Sequence, residues 1–181
     1  EPGGSRLEPK ERTYLRELAK QQADYARLPV MAERAARWKA HNSCAQGRPM
    51  VVIELGTFLR DFLPEPRCTS PEAQRIEHQL LVWIRNHELV DDDKVVPDTY
   101  AVTTRIEHQL CGLDLQAERA TDEQGRAIGY HFDQPIHDLR TDWGLVRPSR
   151  WWVDREGTAR EAALAQDVLG DMRLHARMEH D

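Results

Sequence analysis

The sequence predicts an α/β fold, because two strand patterns enclose one helical pattern in the first half of the chain. Residues 50–53 form an apolar run without alternation, which indicates a strand buried on both faces, as in a parallel sheet. Ser70 and Pro71 are typical of a helix start, and a stripe of apolar residues at helical spacing begins at Ile76. Residues 94–102 indicate a second strand, so the three elements predict a right-handed βαβ unit.

The residues before this unit predict a lead-in and a helical segment. Residues 1–9 contain two prolines and two glycines and show no periodicity, so we expect a disordered lead-in. Residues 10–47 are predicted to form a helical entrance segment. Tyr14, Leu18 and Tyr25 fall on one helical face there, and Pro29 separates the first helix from the second.

The second half of the chain gives weaker patterns. Residues 127–132 are typical of one arm of a hairpin, after a turn at residues 122–125. A helix is expected over residues 135–143, and Thr158 and Glu161 fit a capping box at the start of a last helix. Gly170 weakens that helix by roughly 1 kcal/mol relative to alanine.

Composition limits the class of protein. A chain of 181 residues has room for one well-buried domain. Lys and Arg together number 25 against 31 Asp and Glu, and this net charge of -6 argues against a nucleic-acid surface. No apolar stretch is long enough to span a membrane. The three cysteines form no C-x-x-C pair, so we expect reduced thiols and a cytoplasmic protein.

Three groups of residues allow two interpretations each. His108 and Cys111 could be zinc ligands, but a zinc site needs three or four ligands, which favours a surface His beside a buried Cys. The acidic run at residues 91–93 could bind Mg²⁺ or Ca²⁺, or it could be a solvated turn. Trp151 and Trp152 could stack on a flat ligand, or pack beneath the last helix. The residues alone indicate a site near the ends of the two predicted strands.

Four segments resemble the amino-terminal part of the uroporphyrinogen decarboxylase superfamily, which includes decarboxylases of heme synthesis and cobamide-dependent methyltransferases. The helical entrance resembles the lead-in of lengthened members. Arg48-Pro49, the apolar run and Leu63-Pro64-Glu65 resemble the family's first strand and the loop after it. Residues 92–97 are similar to the second strand, which ends in Val-Val-Pro, and residues 130–142 resemble a later proline-rich segment.

The resemblance implies a (β/α)8 TIM barrel with the site at the carboxyl ends of its strands. Such a barrel needs about 250 residues, so we expect residues 48–181 to form a partial barrel, the first βα units, behind the added helical segment. Asp92 matches the aspartate that faces the pyrrole nitrogens in the decarboxylases. Glu54 is the second expected catalytic residue, and the expected substrate-binding residues are Arg60, Asp98 and Tyr100. No metal ligand is assigned.

The function that the resemblance implies is methyl transfer involving a corrinoid or a methylated small molecule. The first alternative is tetrapyrrole decarboxylation, but Glu54 stands where decarboxylases have an arginine for the substrate's carboxylates. The second alternative is a non-catalytic half that assembles with a partner chain. The cofactor is not identified from the sequence, and a corrinoid is compatible with methyl transfer. The expected partners are a small molecule or corrinoid protein as substrate, and a second copy or a different chain that completes the barrel, with no nucleic acid and no membrane.

Overall fold

A computed structural model describes residues 7–113, 115–123, 127–170 and 172–178. The helices in these ranges are α1 (Pro9–Ala26), α2 (Pro29–Asn42), α3 (Leu59–Phe62), α4 (Pro71–Leu89), α5 (Leu139–Asp142) and α6 (Arg155–Leu169). The strands are β1 (Thr99–Thr104), β2 (Ile106–Gln109), β3 (Ala117–Thr121), β4 (Ala127–Phe132), β5 (Arg150–Val153) and β6 (Arg173–Met178). Most of the predicted lead-in lies outside the described residues.

The chain divides into two compact units, and the described core belongs to the first. Unit 1 consists of residues up to 103 together with residues 156–177. Its core is formed where α1, α4, α6 and β1 meet, and the fully enclosed side chains include Leu15, Leu80 and Val168. The apolar stripe predicted for α4 faces this core because residues three and four apart lie on one side of a helix.

The start of α4 and the end of α6 are capped by residues next to them in the sequence. The Ser70 hydroxyl accepts a hydrogen bond from the Ala73 backbone N–H at 3.1 Å, which confirms the predicted start of α4. α6 ends at Leu169, and Gly170 follows with a φ of 58°, the left-handed conformation that glycine adopts most easily after a helix. Gly170 therefore ends the helix rather than weakening its interior.

Unit 2 consists of residues 104–155 together with residue 178. Its described strands β2 to β5 form two antiparallel ribbons, in which β2 pairs with β5 and β3 pairs with β4. The β3–β4 pair confirms the hairpin arm predicted at residues 127–132, whereas the predicted helix at 135–143 is reduced to α5 and a 3-10 turn, Trp143–Leu145. Part of the predicted turn at residues 122–125 lies outside the described residues.

The predicted partial TIM barrel is wrong. The described strands form three separate two-stranded sheets, β1–β6, β2–β5 and β3–β4, and none of them is the parallel sheet of a barrel. No strand forms at residues 50–53, where Val51 is 56% exposed and Ile53 is 41% exposed, so the predicted βαβ unit is also absent from the described structure. A short apolar run does not by itself distinguish a buried strand from an extended surface segment.

The second predicted strand is confirmed only in its later part. β1 begins at Thr99, and residues 94–97 before it are irregular. Pro97 has no N–H to donate to a ladder. The Gln22 side-chain amide on α1 donates to the carbonyl oxygens of Pro97 at 2.8 Å and of Thr99 at 3.2 Å. These bonds fix the start of β1 against α1.

Candidate functional site

The acidic turn at residues 91–94 holds the extended segment at residues 48–54 in place. Asp92 and Asp93 are 6% and 4% exposed. The Val51 N–H donates to the Asp93 carboxylate at 2.9 Å, and the Ile53 N–H donates to the Asp92 carboxylate at 3.2 Å. The Asp93 N–H returns a bond to the Val51 carbonyl at 2.8 Å. Along one edge of the segment, the two carboxylates thus accept the backbone hydrogen bonds that a neighbouring strand would otherwise accept.

Asp93 is held by cations and by α2. Both nitrogens at the end of the Arg48 guanidinium donate to its carboxylate, one of them at 2.8 Å. These bonds hold the pKa of Asp93 well below its ordinary value, and Arg37 at 3.7 Å adds to the effect. The Trp38 indole N–H donates to the Asp93 backbone carbonyl at 2.7 Å. Asp93 is therefore an ionised structural group at the centre of this contact.

Asp92 is enclosed by polar groups from its own turn and from α4. The Asn86 amide and the Lys94 backbone N–H each donate to its carboxylate at 3.1 Å, and the Lys94 ammonium lies 3.6 Å away. That ammonium also donates to the Asn86 side chain at 2.9 Å and to the Ile53 carbonyl. Both oxygens of Asp92 are thus engaged inside the chain, in contacts that fix the backbone.

The other predicted site residues occupy separate places in unit 1. Glu54 follows Ile53 on the exposed segment, and its carboxylate accepts a bond from the Gly56 N–H. Arg60 is exposed on α3. Asp98 is exposed before β1 and forms an ion pair with Arg173. Tyr100 is 2% exposed and belongs to the core. The structure therefore brings Asp92 to the backbone beside Glu54 but does not gather all five side chains in one cleft.

A second pair of carboxylates fixes the loop before α4. Glu77, 1% exposed, accepts bonds from the Arg67 N–H at 2.9 Å, the Cys68 N–H at 3.0 Å and the Tyr14 hydroxyl at 3.0 Å. Burial, followed by the bond to Glu77, raises the pKa of Tyr14 to about 12. Burial also raises the pKa of the Cys68 thiol to about 12, with Glu77 as a further cause. Glu11 on α1 accepts from the Thr69 N–H at 2.7 Å, which lowers its pKa.

A cleft of about 630 Å³ lies beside this loop, lined by the first turns of α1 and by Arg67 and Thr69. The Arg67 guanidinium lies 5.1 Å from the centre of the Tyr14 ring. Glu8, Lys10 and Arg67 bring charges of both signs to the lining. This mixture favours neither an anionic nor a cationic ligand.

The β2–β5 ribbon of unit 2 presents an exposed apolar face. Ile106 pairs with Val153 and His108 pairs with Trp151, so these four side chains share one face of the ribbon. The His108 and Trp151 rings stack with centres 4.9 Å apart and planes inclined by 25°. Trp151 is 62% exposed. We call these four residues the ribbon face.

Further large apolar side chains of unit 2 are exposed. Tyr130 and Phe132 of β4 lie on one face of their ribbon with ring centres 5.0 Å apart. None of the described residues between 104 and 155 is buried. The large apolar side chains of unit 2 with more than two fifths of their surface exposed are Leu110, Leu115, Ile128, Tyr130, Phe132, Leu139, Trp143, Leu145, Trp151, Trp152 and Val153.

The favoured interpretation of His108 and Cys111, a surface His beside a buried Cys, is wrong for the cysteine, because Cys111 is exposed. Asp92 and Asp93 are buried, so the acidic run is not a solvated turn, and no cluster in the described part of the chain has three side chains able to hold a metal ion. Trp151 and Trp152 are exposed and lie on opposite faces of β5, with the Trp152 indole donating to Glu107. Strand alternation could have indicated this arrangement from the sequence, because adjacent residues of a strand point in opposite directions.

Comparison with known proteins gives no relative. No protein-family model matches the chain, and no curated protein and no solved structure matches it either. Among the described helices, none combines the length and the apolar character needed to cross a membrane.

Proposed function

We propose that this chain is a non-catalytic assembly part of a protein of the uroporphyrinogen decarboxylase superfamily, and that residues 104–155 bind a partner chain. One observation carries the proposal: unit 2 exposes many large apolar side chains, and none of its described residues is buried. Large exposed apolar surfaces mark interaction sites. Two-stranded ribbons are only marginally stable in water by themselves, so a partner that covers them also stabilises them.

The composition of this surface suits a protein partner. Trp143, Trp151 and Tyr130 are each more than three fifths exposed. Tryptophan and tyrosine are enriched in protein interfaces and at the positions that contribute most to binding. Charged groups lie among the apolar side chains, such as Arg105 and Asp154, which form an ion pair at 3.8 Å. A mixture of aromatic anchors and surrounding polar groups is typical of a specific interface.

The contacts of the acidic turn support a structural role for unit 1. Asp92, the expected catalytic aspartate, uses both carboxylate oxygens to hold Asn86 and backbone N–H groups. A group that binds substrate through the same oxygens would first have to release these bonds. In the proposed function, catalysis belongs to the partner chain.

Methyl transfer by the assembled protein is the second candidate. Arg48 and Asp93 stand 45 residues apart in two of the segments that resemble the superfamily, and they form a paired ionic contact. This contact does not distinguish methyl transfer from tetrapyrrole decarboxylation, because the resemblance to both uses the same two segments. Both activities stay predictions from the sequence.

The proposal is tested on the complex isolated from its natural source, with the partner identified by mass spectrometry. Trp151→Ala is expected to weaken partner binding by about thirtyfold or more, because aromatic anchors at interfaces contribute about 2 kcal/mol or more. Leu28→Ala is the matched control, since Leu28 is an exposed apolar residue of unit 1. Its affinity should stay within about twofold of the unaltered chain.

Activity is measured on the same samples as methyl transfer from methylcobalamin, followed by the visible spectrum. The isolated chain should be inactive and the complex active. A stable monomer that transfers methyl groups alone would contradict the non-catalytic role. Equal partner binding by Trp151→Ala and Leu28→Ala would contradict the assignment of the surface.

A further inference from the structure

The β2–β5 ribbon has an open edge along β5. The Asp154 N–H donates to the Arg105 carbonyl at 2.9 Å, in line with the register of the ribbon. Backbone bonding alternates along an antiparallel strand, so Trp151 and Val153 direct their N–H and C=O groups away from β2. In the described part of the chain, β5 has no strand beside it other than β2. The open edge therefore carries the backbone groups of Trp151 and Val153.

The side chains of this edge are those that favour strand pairing. Trp151, Trp152 and Val153 are 62%, 47% and 43% exposed, and Arg150 before them is exposed as well. Open strand edges with aromatic and β-branched side chains tend to pair with another strand. A two-stranded ribbon is only marginally stable in water, whereas three or more strands with an apolar face can be stable. An added strand would therefore stabilise the ribbon.

The edge of β5 is complementary to itself when two copies run antiparallel. With Trp152 opposite its own copy, Arg150 lies opposite Asp154 of the second copy. In the same register Trp151 lies opposite Val153. Pairs of opposite charge and pairs of an aromatic with a β-branched side chain stabilise neighbouring strands in these positions. This register also brings the outward backbone groups of Trp151 and Val153 together, as a hydrogen-bonded pair requires.

Neighbouring registers lack this match. Outward residues must stay opposite outward residues, so the strands can slide only in steps that preserve the bonding pattern. The next register in one direction places Arg150 opposite Trp152, and the next in the other direction places Trp152 opposite Asp154. The opposite charges therefore select the register centred on Trp152.

Asp154 already has a cation in its own chain, Arg105 at 3.8 Å. One carboxylate can hold two cations, as Asp93 does with Arg48 and Arg37. Arg150 of a second copy would thus add to the contact of Asp154 with Arg105 and need not replace it.

We propose that two copies of this chain pair through their β5 strands, antiparallel about a two-fold axis at Trp152. Two-fold pairing of identical surfaces is the commonest form of protein oligomer. The two ribbons then form one four-stranded sheet, and one side of it carries the ribbon face of each copy. The pairing uses the edge of the ribbon and goes beyond the proposed function, in which a partner chain covers the apolar surface. A stable interface uses roughly 20–30 residues on each side, so this dimer should be weak and depend on concentration.

The first test measures the mass of the full chain by sedimentation velocity from about 1 µM to about 500 µM. The unaltered chain should change from monomer towards dimer over this range. Arg150→Asp and Asp154→Arg each place like charges opposite one another, so each variant alone should dimerise at least about tenfold more weakly. An equimolar mixture of the two should dimerise like the unaltered chain, because every opposed pair in the mixed dimer again joins Asp to Arg.

A cross-linking test locates the two-fold axis and leaves both charged residues unaltered. It uses a chain in which the exposed Cys44 and Cys111 are replaced by serine. Trp152→Cys should form a disulfide between copies under mild oxidation, because directly opposite residues of a non-hydrogen-bonded pair have Cα atoms about 4.5 Å apart. Val153→Cys is the matched control. Its two copies lie diagonally, about 7–8 Å apart, so this cross-link should form at least about tenfold more slowly.

A chain that stays monomeric at every concentration would overturn the inference, as would a dimer that is unchanged in both charge variants or a mixture of them that does not dimerise. Equal cross-linking of Trp152→Cys and Val153→Cys would contradict the register. A monomeric chain whose partner binding is weakened by Arg150→Asp would assign the β5 edge to the partner chain instead. Each of these results leaves the proposed function intact, since that fails only in the comparison of Trp151→Ala with Leu28→Ala or in the activity of the isolated chain.

Discussion

Removing the Glu77 carboxylate should destabilise unit 1 by about 3 kcal/mol. Glu77→Leu deprives three donors of their acceptor: the backbone N–H groups of Arg67 and Cys68 and the Tyr14 hydroxyl. A buried donor left without an acceptor costs about 1–3 kcal/mol. Cys68 is buried and bears the full cost, whereas exposed Arg67 can donate to water instead. Removal of a buried charge offsets part of the loss.

Two variants separate the contributions to this effect. Tyr14→Phe removes only the hydroxyl donor, so its cost should be about 1 kcal/mol. Glu77→Gln keeps one carbonyl acceptor and should fall between Tyr14→Phe and Glu77→Leu. The free energy of unfolding is measured by urea denaturation with equal slopes required for all variants. A Glu77→Leu variant no less stable than Tyr14→Phe would refute the role of Glu77 as the anchor of this loop.

The phenol of Tyr14 reports the same contact independently. The bond to Glu77 and its charge raise the pKa of Tyr14 together with burial, so Glu77→Leu should lower that pKa from about 12 towards the ordinary value. An ultraviolet titration of the phenolate follows the change. In the unaltered chain, stability should fall as pH rises from about 10 to about 12, because the unfolded phenol ionises first. A Tyr14 pKa unaffected by Glu77→Leu would mean that burial alone raises it.

Three further outcomes are expected. The pKa of Asp93 is lowered in the folded chain, so ionised Asp93 should stabilise the fold above a pH of about 4 and lose this effect on acidification below it. Asp93→Asn should therefore flatten the dependence of the melting temperature on pH in this acidic range. Cys68, with a pKa of about 12, should react with iodoacetamide at pH 8 at least about 100-fold more slowly than exposed Cys44, and equal rates would contradict its burial. Gly170→Ala should cost about 1 kcal/mol in urea denaturation because of its φ of 58°, whereas Gly47→Ala, which has open space around it and no positive φ, should cost less.

The sequence predicted α1, α2 and α4 because their signals are local. It did not predict α3, and α6 begins at Arg155, before the capping box predicted at Thr158. The Ser70 cap, the proline after it and the apolar spacing of α4 all lie within one short stretch. Pro29 likewise marks the start of α2. Local signals of this kind depend on backbone geometry, which nearby residues determine.

The segment at residues 50–53 could not be assigned correctly by the same means. Its apolar run is identical in pattern to a buried strand, and its actual bonding partners, Asp92 and Asp93, lie about 40 residues away in the chain. An acidic run is usually solvated, so its burial against Arg48 and backbone N–H groups was not expected from composition. The pairing of a distant carboxylate with a backbone donor has no local sequence signal.

The expected site residues show the same limit. The resemblance predicted which residue types stand at the site positions. In this structure Asp92 binds the Ile53 N–H, next to Glu54 in the chain. The resemblance gave no information on whether the oxygens of Asp92 and Glu54 would be engaged internally. Strand alternation could have indicated that Trp151 and Trp152 lie on opposite faces of their strand, but not that both are exposed.

Hydrogen exchange of β2 and β5, measured in the isolated chain and in the natural complex, is the most direct test of whether residues 104–155 bind a partner chain. We predict rapid exchange of both strands in the isolated chain, because two-stranded ribbons with an uncovered apolar face open readily. In the complex these amides should be strongly protected. Slow exchange already present in an isolated monomer, unchanged by the partner, would contradict the claim.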